Sequence, residues 1–119
     1  MREVIKAFKA LSDETRLRIL NLLMERECCV CEVMQALQIS QARASRNLGA
    51  LYDAGFLKLR REGLWALYSL DREALKDFYP NLVEAVKQAL RRNEMARQDR
   101  VRLNRASRVG VTCAVSRSG

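Results

Sequence analysis

The stretch SQARASRNLGALYDAGFLKLRREGLWALYSL, residues 40–70, decides the fold because its hydrophobic period changes once within it. The first half predicts a helix, with Ser40 as the N-cap and Gly55 as the terminating residue. From Phe56 onward, apolar residues alternate with charged ones, a period of two that is typical of strands. The Glu-Gly pair at 62–63 predicts a turn, so the second half is a β-hairpin with a basic tip.

The residues before this stretch predict three further helices. Residues 1–11 carry the apolar stripe of a short helix, and Ser12 is the expected N-cap of the next, at 13–26. A short pattern, EVMQALQI at 32–39, leads into Ser40. Two short helices joined by a tight turn describe a helix-turn-helix, and the hairpin then occupies the place of a DNA-binding wing.

A long helical pattern follows the hairpin, with Asp71 as its expected N-cap and Pro80 as the site of a kink or a fresh helix start. Its apolar stripe is longer than the chain needs for its own core, which favours a homodimer interface, with packing on the body of its own domain as the alternative: Leu75, Tyr79, Leu82, Val86 and Leu90. After about residue 97 the pattern fades into an arginine-rich segment, which we interpret as a fraying helix followed by a flexible end. We therefore expect a DNA-binding and dimerisation domain at 1–96 and a basic, flexible tail at 97–119.

The bulk composition favours a cytoplasmic protein with an anionic partner. A chain of 119 residues with 49% hydrophobic content accommodates one domain. Its net charge of +8 favours nucleic acid, although basic residues that merely solvate a helical surface give the same composition. No apolar run approaches the roughly 20 residues of a membrane span, and the N-terminus lacks the features of a signal peptide. We therefore expect no membrane partner and reduced thiols.

Three of the four cysteines lie in ECCVCEV at residues 27–33, and the chain contains no histidine. In a reducing compartment such a cluster indicates metal, metalloid or redox chemistry, with buried small hydrophobes as the alternative. Cys28 and Cys31 have the spacing of a redox pair, but a helix rather than a strand precedes them, so we do not expect an enzyme. At a helix start, the pKa of these thiols should be lowered.

Three motifs in register resemble the ArsR/SmtB family of metal- and metalloid-responsive repressors. ALSDETRLRILNLL at 10–23, ISQARASRNLGALYDAGFL at 39–57 and RREGLWALYSL at 60–70 are similar to the family's opening helix, recognition segment and wing. The likeness covers roughly residues 3–79. It implies a mainly α fold with a small β-hairpin, namely a dimeric winged helix-turn-helix.

The cysteine cluster resembles the C-V-C motif of the arsenic-responsive branch of this family, which places the two ligands of trivalent arsenic on Cys29 and Cys31. That branch often has a third cysteine where this chain has Met34. Cys28 is a candidate third ligand, and Cys113 in the tail is a weaker one. The implied effector is arsenite, with antimonite or methylarsenite as alternatives. We expect DNA binding itself to require no cofactor.

Helix geometry adds an expectation about how such a site would work. Trivalent arsenic is a soft centre, and thiolates are soft ligands. Residues i and i+2 of a regular helix do not face each other, so Cys29 and Cys31 should converge only if the helix start is distorted, whereas Cys28 and Cys31 can meet without distortion. Ligand binding would then deform the first turn of the helix that precedes the recognition helix. This deformation would misplace the recognition helix.

Other effectors remain open on the same scaffold. The resemblance also brings zinc into question, because zinc sites of this family use His and Asp side chains on the last helix. The chain contains no histidine, which argues against such a site. The cadmium- and lead-responsive branch adds a cysteine near the N-terminus, which residues 1–27 lack. A cadmium- or lead-responsive repressor and a thiol-redox switch are kept as alternatives, and a thiol oxidoreductase as a remote one.

The resemblance also implies which residues contact DNA. The recognition segment would present Gln41, Arg43, Ser45 and Arg46 to the major groove, with Asn47 on a phosphate, while the wing would present Arg60 and Arg61. A homodimer would place two such units on double-stranded operator DNA with pseudo-palindromic half-sites. The implied function is a transcriptional repressor of an arsenic-resistance type of operon, released when trivalent arsenic binds the thiolates.

Overall fold

The computed structural model describes residues 1–73 and 78–108, and within them it has helices at both ends and a small sheet in the middle. The elements follow the chain in the order α1 (Arg2–Leu11), α2 (Glu14–Glu25), β1 (Cys28–Cys29), α3 (Val30–Leu37), α4 (Gln41–Asp53), β2 (Leu57–Glu62), β3 (Trp65–Leu70), α5 (Tyr79–Leu90) and α6 (Glu94–Arg105). This is the predicted winged helix-turn-helix. In the described part of the chain, no helix is long and apolar enough to cross a membrane.

The predicted helix-turn-helix is formed by α3 and α4. Helix α3 ends at Gln38, whose left-handed backbone (φ 58°) turns the chain. Ser40 caps α4 as predicted, because its hydroxyl accepts a hydrogen bond from the Arg43 N–H at 3.2 Å. The left-handed turn and the Ser40 cap together fix the angle at which α4 leaves α3.

The predicted cap of α2 is off by one residue. Asp13, not Ser12, caps this helix, since its carboxylate accepts from the Arg16 N–H at 3.0 Å. Ser12 instead ends α1, where its hydroxyl and its N–H both donate to the Lys9 carbonyl. A carboxylate at the helix N-terminus also interacts favourably with the helix dipole, which explains the choice of Asp13.

The hairpin has the predicted strands and a turn one residue later than expected. Glu62 pairs with Trp65, so the turn is formed by Gly63, at φ 61°, and Leu64. The sheet has a further strand that the sequence pattern did not predict: β1 pairs antiparallel with β3, giving the order β1-β3-β2. The cysteine segment is therefore part of the wing sheet.

Helix α5 begins afresh at the proline, with Pro80 in its first turn. The Tyr79 hydroxyl donates to the Ala54 carbonyl at 2.8 Å, and Val86 is buried. The predicted dimer stripe thus packs largely against its own chain, which corrects the argument that it had nothing left to cover within one subunit. Leu75, also assigned to that stripe, lies outside the described residues.

The prediction of a flexible tail from residue 97 is wrong for the part that the structure describes. Helix α6 runs over Glu94–Arg105 and packs on α2 and α3. Its Asp99 is fully buried and pairs with Arg18 and Arg102, each at 2.8 Å. The predicted domain boundary at 96 therefore falls inside a helix. The sequence missed this because the buried side of α6 is built around ion pairs rather than an apolar stripe.

Candidate functional site

The sulfur atoms of Cys29 and Cys31 lie together, 2.9 Å apart. Cys29 is the N-cap of α3 and has an extended backbone (φ −85°, ψ 170°), while Cys31 is in the first turn of the helix. The i, i+2 argument applies only inside a regular helix, and Cys29 stands just before it. The expectation that these sulfurs converge only after distortion is therefore wrong.

Cys28 faces away from this pair. Successive side chains of a strand point to opposite faces, so Cys28 and Cys29 on β1 enter different clusters. Cys28 packs in the main core beneath the helices, whereas Cys29 and Cys31 pack with Leu67 and Trp65. The structure does not bring Cys28 to the pair as a third ligand. Cys113, the other candidate, lies outside the described residues.

Burial, not the helix terminus, sets the acidity of these thiols. Desolvation raises the pKa of Cys28 to about 12, and it also raises the pKa of Cys29 above its ordinary value. The expectation of lowered thiol pKa values at the helix start is contradicted for both residues. Burial therefore favours the neutral S–H form of Cys28 and Cys29.

Glu32 holds the backbone of the thiol segment, and sequence reasoning missed it. Its buried carboxylate accepts hydrogen bonds from the Cys29 N–H at 2.9 Å, from Arg26 at 2.7 Å and from Arg108 at 3.1 Å. Burial alone would raise the pKa of Glu32, but these donors outweigh it and lower the pKa. The available signal was the capping-box spacing, Cys29-x-x-Glu32, which the structure forms.

The residues after α6 lie against the thiol pair. Gln35 donates to the Ser107 carbonyl at 2.8 Å, and the same carbonyl is 3.9 Å from Cys31 Sγ. The Arg108 guanidinium bonds Glu32 and lies 5.8 Å from the centre of the Trp65 ring. This contact is a cation–π arrangement that ties the end of α6 to the wing.

A small cleft of about 110 Å³ opens beside Cys29, between the N-terminus of α4 and the wing. Its wall is mostly apolar and includes Leu64, Trp65 and Ala66. Gln41, the first residue of α4, and Arg61 of β2 contribute the polar part. Cys29 therefore adjoins both elements that were predicted to read DNA.

The predicted DNA-contacting residues of α4 divide into two groups. Arg46 is exposed, and Gln41 and Ser45 are half-buried on the helix. Asn47 is buried, where it accepts from Arg16 at 3.1 Å and donates to the Arg43 carbonyl. Asn47 thus joins α4 to α2, and the structure does not present it to a phosphate.

Arg43 is exposed but also bound to its own chain. Its guanidinium donates to the Thr15 hydroxyl of α2 at 2.8 Å. A contact between Arg43 and a base would therefore compete with this internal bond. Of the predicted recognition residues, Arg46 has the position best suited to approach DNA.

The wing carries exposed cations with different surroundings. Arg61 and Lys58 are exposed on β2. Arg60 instead pairs with Glu27 at 3.1 Å and with Glu62 at 3.5 Å. The bond from Arg60 lowers the pKa of Glu27, and Glu27 is directly before the cysteine segment. Arg60 thus links the wing to the thiols.

A helix-turn-helix followed by a basic β-hairpin defines a winged helix-turn-helix protein, and comparisons with known proteins agree. Residues 13–59 match the model of the bacterial regulatory protein, arsR family. A homodimeric winged helix-turn-helix DNA-binding domain from Mycobacterium bovis, a possible ArsR-family transcriptional regulator, has a TM-score of 0.65 and 30% identity over 78% of this chain and 82% of that one. The chain belongs to the arsR family.

The names of the chain's relatives specify different effectors. The cadmium resistance transcriptional regulatory protein CadC homolog of Staphylococcus aureus is 47% identical over 75 residues, which is 62% of each chain. The arsenic resistance transcriptional regulator ArsR1 of Pseudomonas putida is 46% identical over 77 residues, 61% of this chain and 60% of that protein. The matched part spans about 60% of the length of these relatives.

Proposed function

We propose that the chain is a homodimeric repressor that binds operator DNA and is released when trivalent arsenic binds Cys29 and Cys31. The observation that carries this proposal is the 2.9 Å separation of the two sulfur atoms. Sulfur is the side-chain ligand that a soft, thiophilic atom prefers to oxygen or nitrogen, and these two sulfur atoms lie side by side at the start of α3.

The contacts of the thiol segment supply a route from the effector to DNA. Strand β1 is hydrogen-bonded to β3 of the wing, and Glu27 before it pairs with Arg60 of β2. Cys29 also caps α3, which leads into α4, the recognition helix. A ligand that repositions the two sulfurs therefore displaces the wing and the recognition helix together.

A second copy of the chain would cover the apolar side chains that α1 leaves exposed. Ile5 is 48% exposed and Phe8 is 54% exposed, although both are large hydrophobic residues. Single exposed hydrophobic residues are ordinary, but two on adjacent turns of one helix favour an interface. A homodimer would present two α4 helices to pseudo-palindromic half-sites.

A gel-shift experiment with reduced, full-length protein tests this function. Arsenite should release an operator fragment from the wild type, and Cys29→Ser and Cys31→Ser should keep DNA binding but lose the release. Cys28→Ala is the matched control, because Cys28 faces the main core, and it should still be released. Undiminished DNA binding at saturating arsenite would contradict the inducer assignment.

The same sulfur separation also supports a second candidate, a thiol-redox switch. Forming or reducing a disulfide in this segment would reposition it. Release by peroxide, reversed by dithiothreitol and accompanied by indifference to arsenite, would favour this candidate. Release by cadmium and not by arsenite would instead favour a cadmium-responsive repressor, the function that the name of the CadC homolog specifies.

A further inference from the structure

We propose that a second DNA-binding surface lies beside the recognition helix, where Lys6 and Lys9 of α1 contact phosphate groups of the duplex. The inference rests on the DNA binding of the proposed function, and it adds contacts outside the helix-turn-helix and the wing. Its starting point is an open hollow of about 220 Å³ between α1, the start of α2 and the second half of α4. Three cations and three alanines line this hollow: Lys6, Lys9, Arg16, Ala10, Ala50 and Ala54.

The hollow follows one side of the recognition helix. Asn47, Ala50 and Ala54 are three or four residues apart, so they share the side of α4 that faces α1 and α2. An α-helix with its side chains is about 10–12 Å in diameter, and the major groove is about 12 Å wide. A helix that fills the groove therefore has a phosphate backbone on either side. Groups that lie beside α4 meet one of these backbones.

Arg16 fixes the end of α1 next to the recognition helix. Its guanidinium donates to the Lys9 carbonyl at 3.2 Å and to the Ala10 carbonyl at 2.6 Å. The same group donates to the Asn47 amide oxygen of α4 at 3.1 Å. One side chain thus joins the last turn of α1 to α4. The backbone of Lys9 is therefore held in a fixed position relative to the helix that enters the groove.

The described part of the chain does not neutralise the two lysines. Both are exposed, and neither forms an ion pair with a carboxylate among residues 1–73 and 78–108. Like charges three residues apart on one helix repel each other. Lys9 lies in the last turn of α1, where the helix dipole favours a cation, but Lys6 does not. A bound anion would relieve the repulsion.

Duplex DNA suits this surface because the surface is continuous with the recognition helix. Arg46, which is exposed on α4, is four residues before Ala50 of the hollow, so one duplex can contact both. The small alanine side chains leave room for a sugar-phosphate strand to approach. Phosphate contacts add affinity and fix the register of the protein, but they carry no sequence information. Lys6 and Lys9 should therefore affect the affinity for DNA and not the choice of operator.

The salt dependence of DNA binding tests the inference. Fluorescence anisotropy should be measured with reduced, full-length protein, a labelled operator duplex and an unrelated duplex of equal length. Each phosphate contact contributes about 0.9 to the slope of log K against log salt concentration. Lys6→Gln combined with Lys9→Gln removes two contacts from each subunit, so the slope for a homodimer should fall by about 3 to 4. The ratio of the two Kd values should stay within about twofold.

Lys87 and Arg91 of α5 supply the matched control, because they are also exposed but lie beside Met24, near the opposite end of α2 from Arg16. Glutamine at both positions removes the same charge and should change the slope by less than about 0.5. Arginine at positions 6 and 9 keeps the charge and should keep the wild-type slope.

Three results would overturn the inference and leave the proposed function intact. They are an unchanged slope in the variant with glutamine at positions 6 and 9, an equal loss of slope in the control variant, and a loss of slope in the arginine variant. Failure of the wild type to bind either duplex would overturn the proposed function itself.

Discussion

Cys29 lies opposite Leu67 in the antiparallel pair of β1 and β3, so the thiol segment is an edge strand of the wing sheet. The same cysteine caps α3 and lies 2.9 Å from the Cys31 sulfur. One residue therefore belongs to the candidate effector site, to the wing and to the helix-turn-helix. This arrangement allows a ligand at the sulfurs to act on DNA binding without a long chain of intermediates.

Glu32 should contribute measurably to stability. Glu32→Gln removes the buried charge that Arg26 and Arg108 neutralise, and we expect the free energy of unfolding to fall by about 2–3 kcal/mol. Urea unfolding followed by circular dichroism measures this. Glu94→Gln, at an exposed pair with Arg97, is the control and should change stability by less than about 0.5 kcal/mol. Equal losses in the two variants would contradict the role of Glu32.

Glu32 should also make stability depend on pH in the acid range. Its pKa is lowered in the folded protein, so its contribution is complete above the ordinary value of 4.5 and is lost as the pH falls through the folded pKa. Below pH 4.5, the unfolded chain binds a proton that the folded protein does not. The stability difference between wild type and Glu32→Gln should therefore shrink below that pH, by at most about 1.4 kcal/mol per pH unit. A constant difference from pH 7 to pH 3 would exclude this linkage.

The elements that follow from local rules were predicted correctly from the sequence. The cap at Ser40, the turn at Gly55 and the alternation from Phe56 depend on residues close in the chain, and α4 and the two hairpin strands formed as expected. The strand at Cys28–Cys29 was missed because two residues carry no period, and it exists only through pairing with β3. Contacts between distant segments are not visible in local patterns.

Cys28 should be unreactive in the folded protein. With a pKa of about 12, against 9.0 ordinarily, its thiolate fraction near pH 8 is lowered by about a thousandfold. Iodoacetamide should modify Cys28 at pH 8 only after unfolding in urea, as measured by mass spectrometry of the labelled peptides. Folding stability should also fall above about pH 9, because the raised pKa favours the folded state below the unfolded value and is lost as the pH rises. Rapid modification of Cys28 by iodoacetamide in the folded protein would contradict this prediction.

The candidate site was predicted in part. The resemblance pointed to Cys29 and Cys31, but the geometry between them depended on which residue is the first of α3, and helix ends are the least certain part of a pattern. Cys28 looked suited to the site by spacing, yet the strand turns its side chain to the opposite face. The sequence position of Asn47 suggested an exposed side chain, but its amide accepts a hydrogen bond from Arg16 of α2.

Asp99 should be essential for the attachment of α6. Asp99→Asn leaves the guanidinium groups of Arg18 and Arg102 without their buried carboxylate, and we expect a loss of about 3 kcal/mol in the free energy of unfolding. Asp53→Asn, at the exposed last residue of α4, should change it by less than about 0.5 kcal/mol. Chemical denaturation of both variants compares them directly. A small loss in the free energy of unfolding for Asp99→Asn would contradict the conclusion that these ion pairs attach α6 to the rest of the chain.

Arg46 and Asn47 are neighbours on α4, but their substitution should affect different properties, namely DNA affinity for Arg46 and stability for Asn47. Arg46 is exposed, so Arg46→Ala should weaken operator binding by about tenfold to a hundredfold without loss of stability. Asn47→Ala removes the bond to Arg16 and should lower the free energy of unfolding by about 1–2 kcal/mol, while the folded fraction still binds DNA within about threefold of wild type. Fluorescence anisotropy with a labelled operator, together with urea unfolding, separates the two quantities. If Asn47→Ala lost DNA affinity at unchanged stability, Asn47 would be a DNA contact after all, and the inward position of its amide would not describe the bound state.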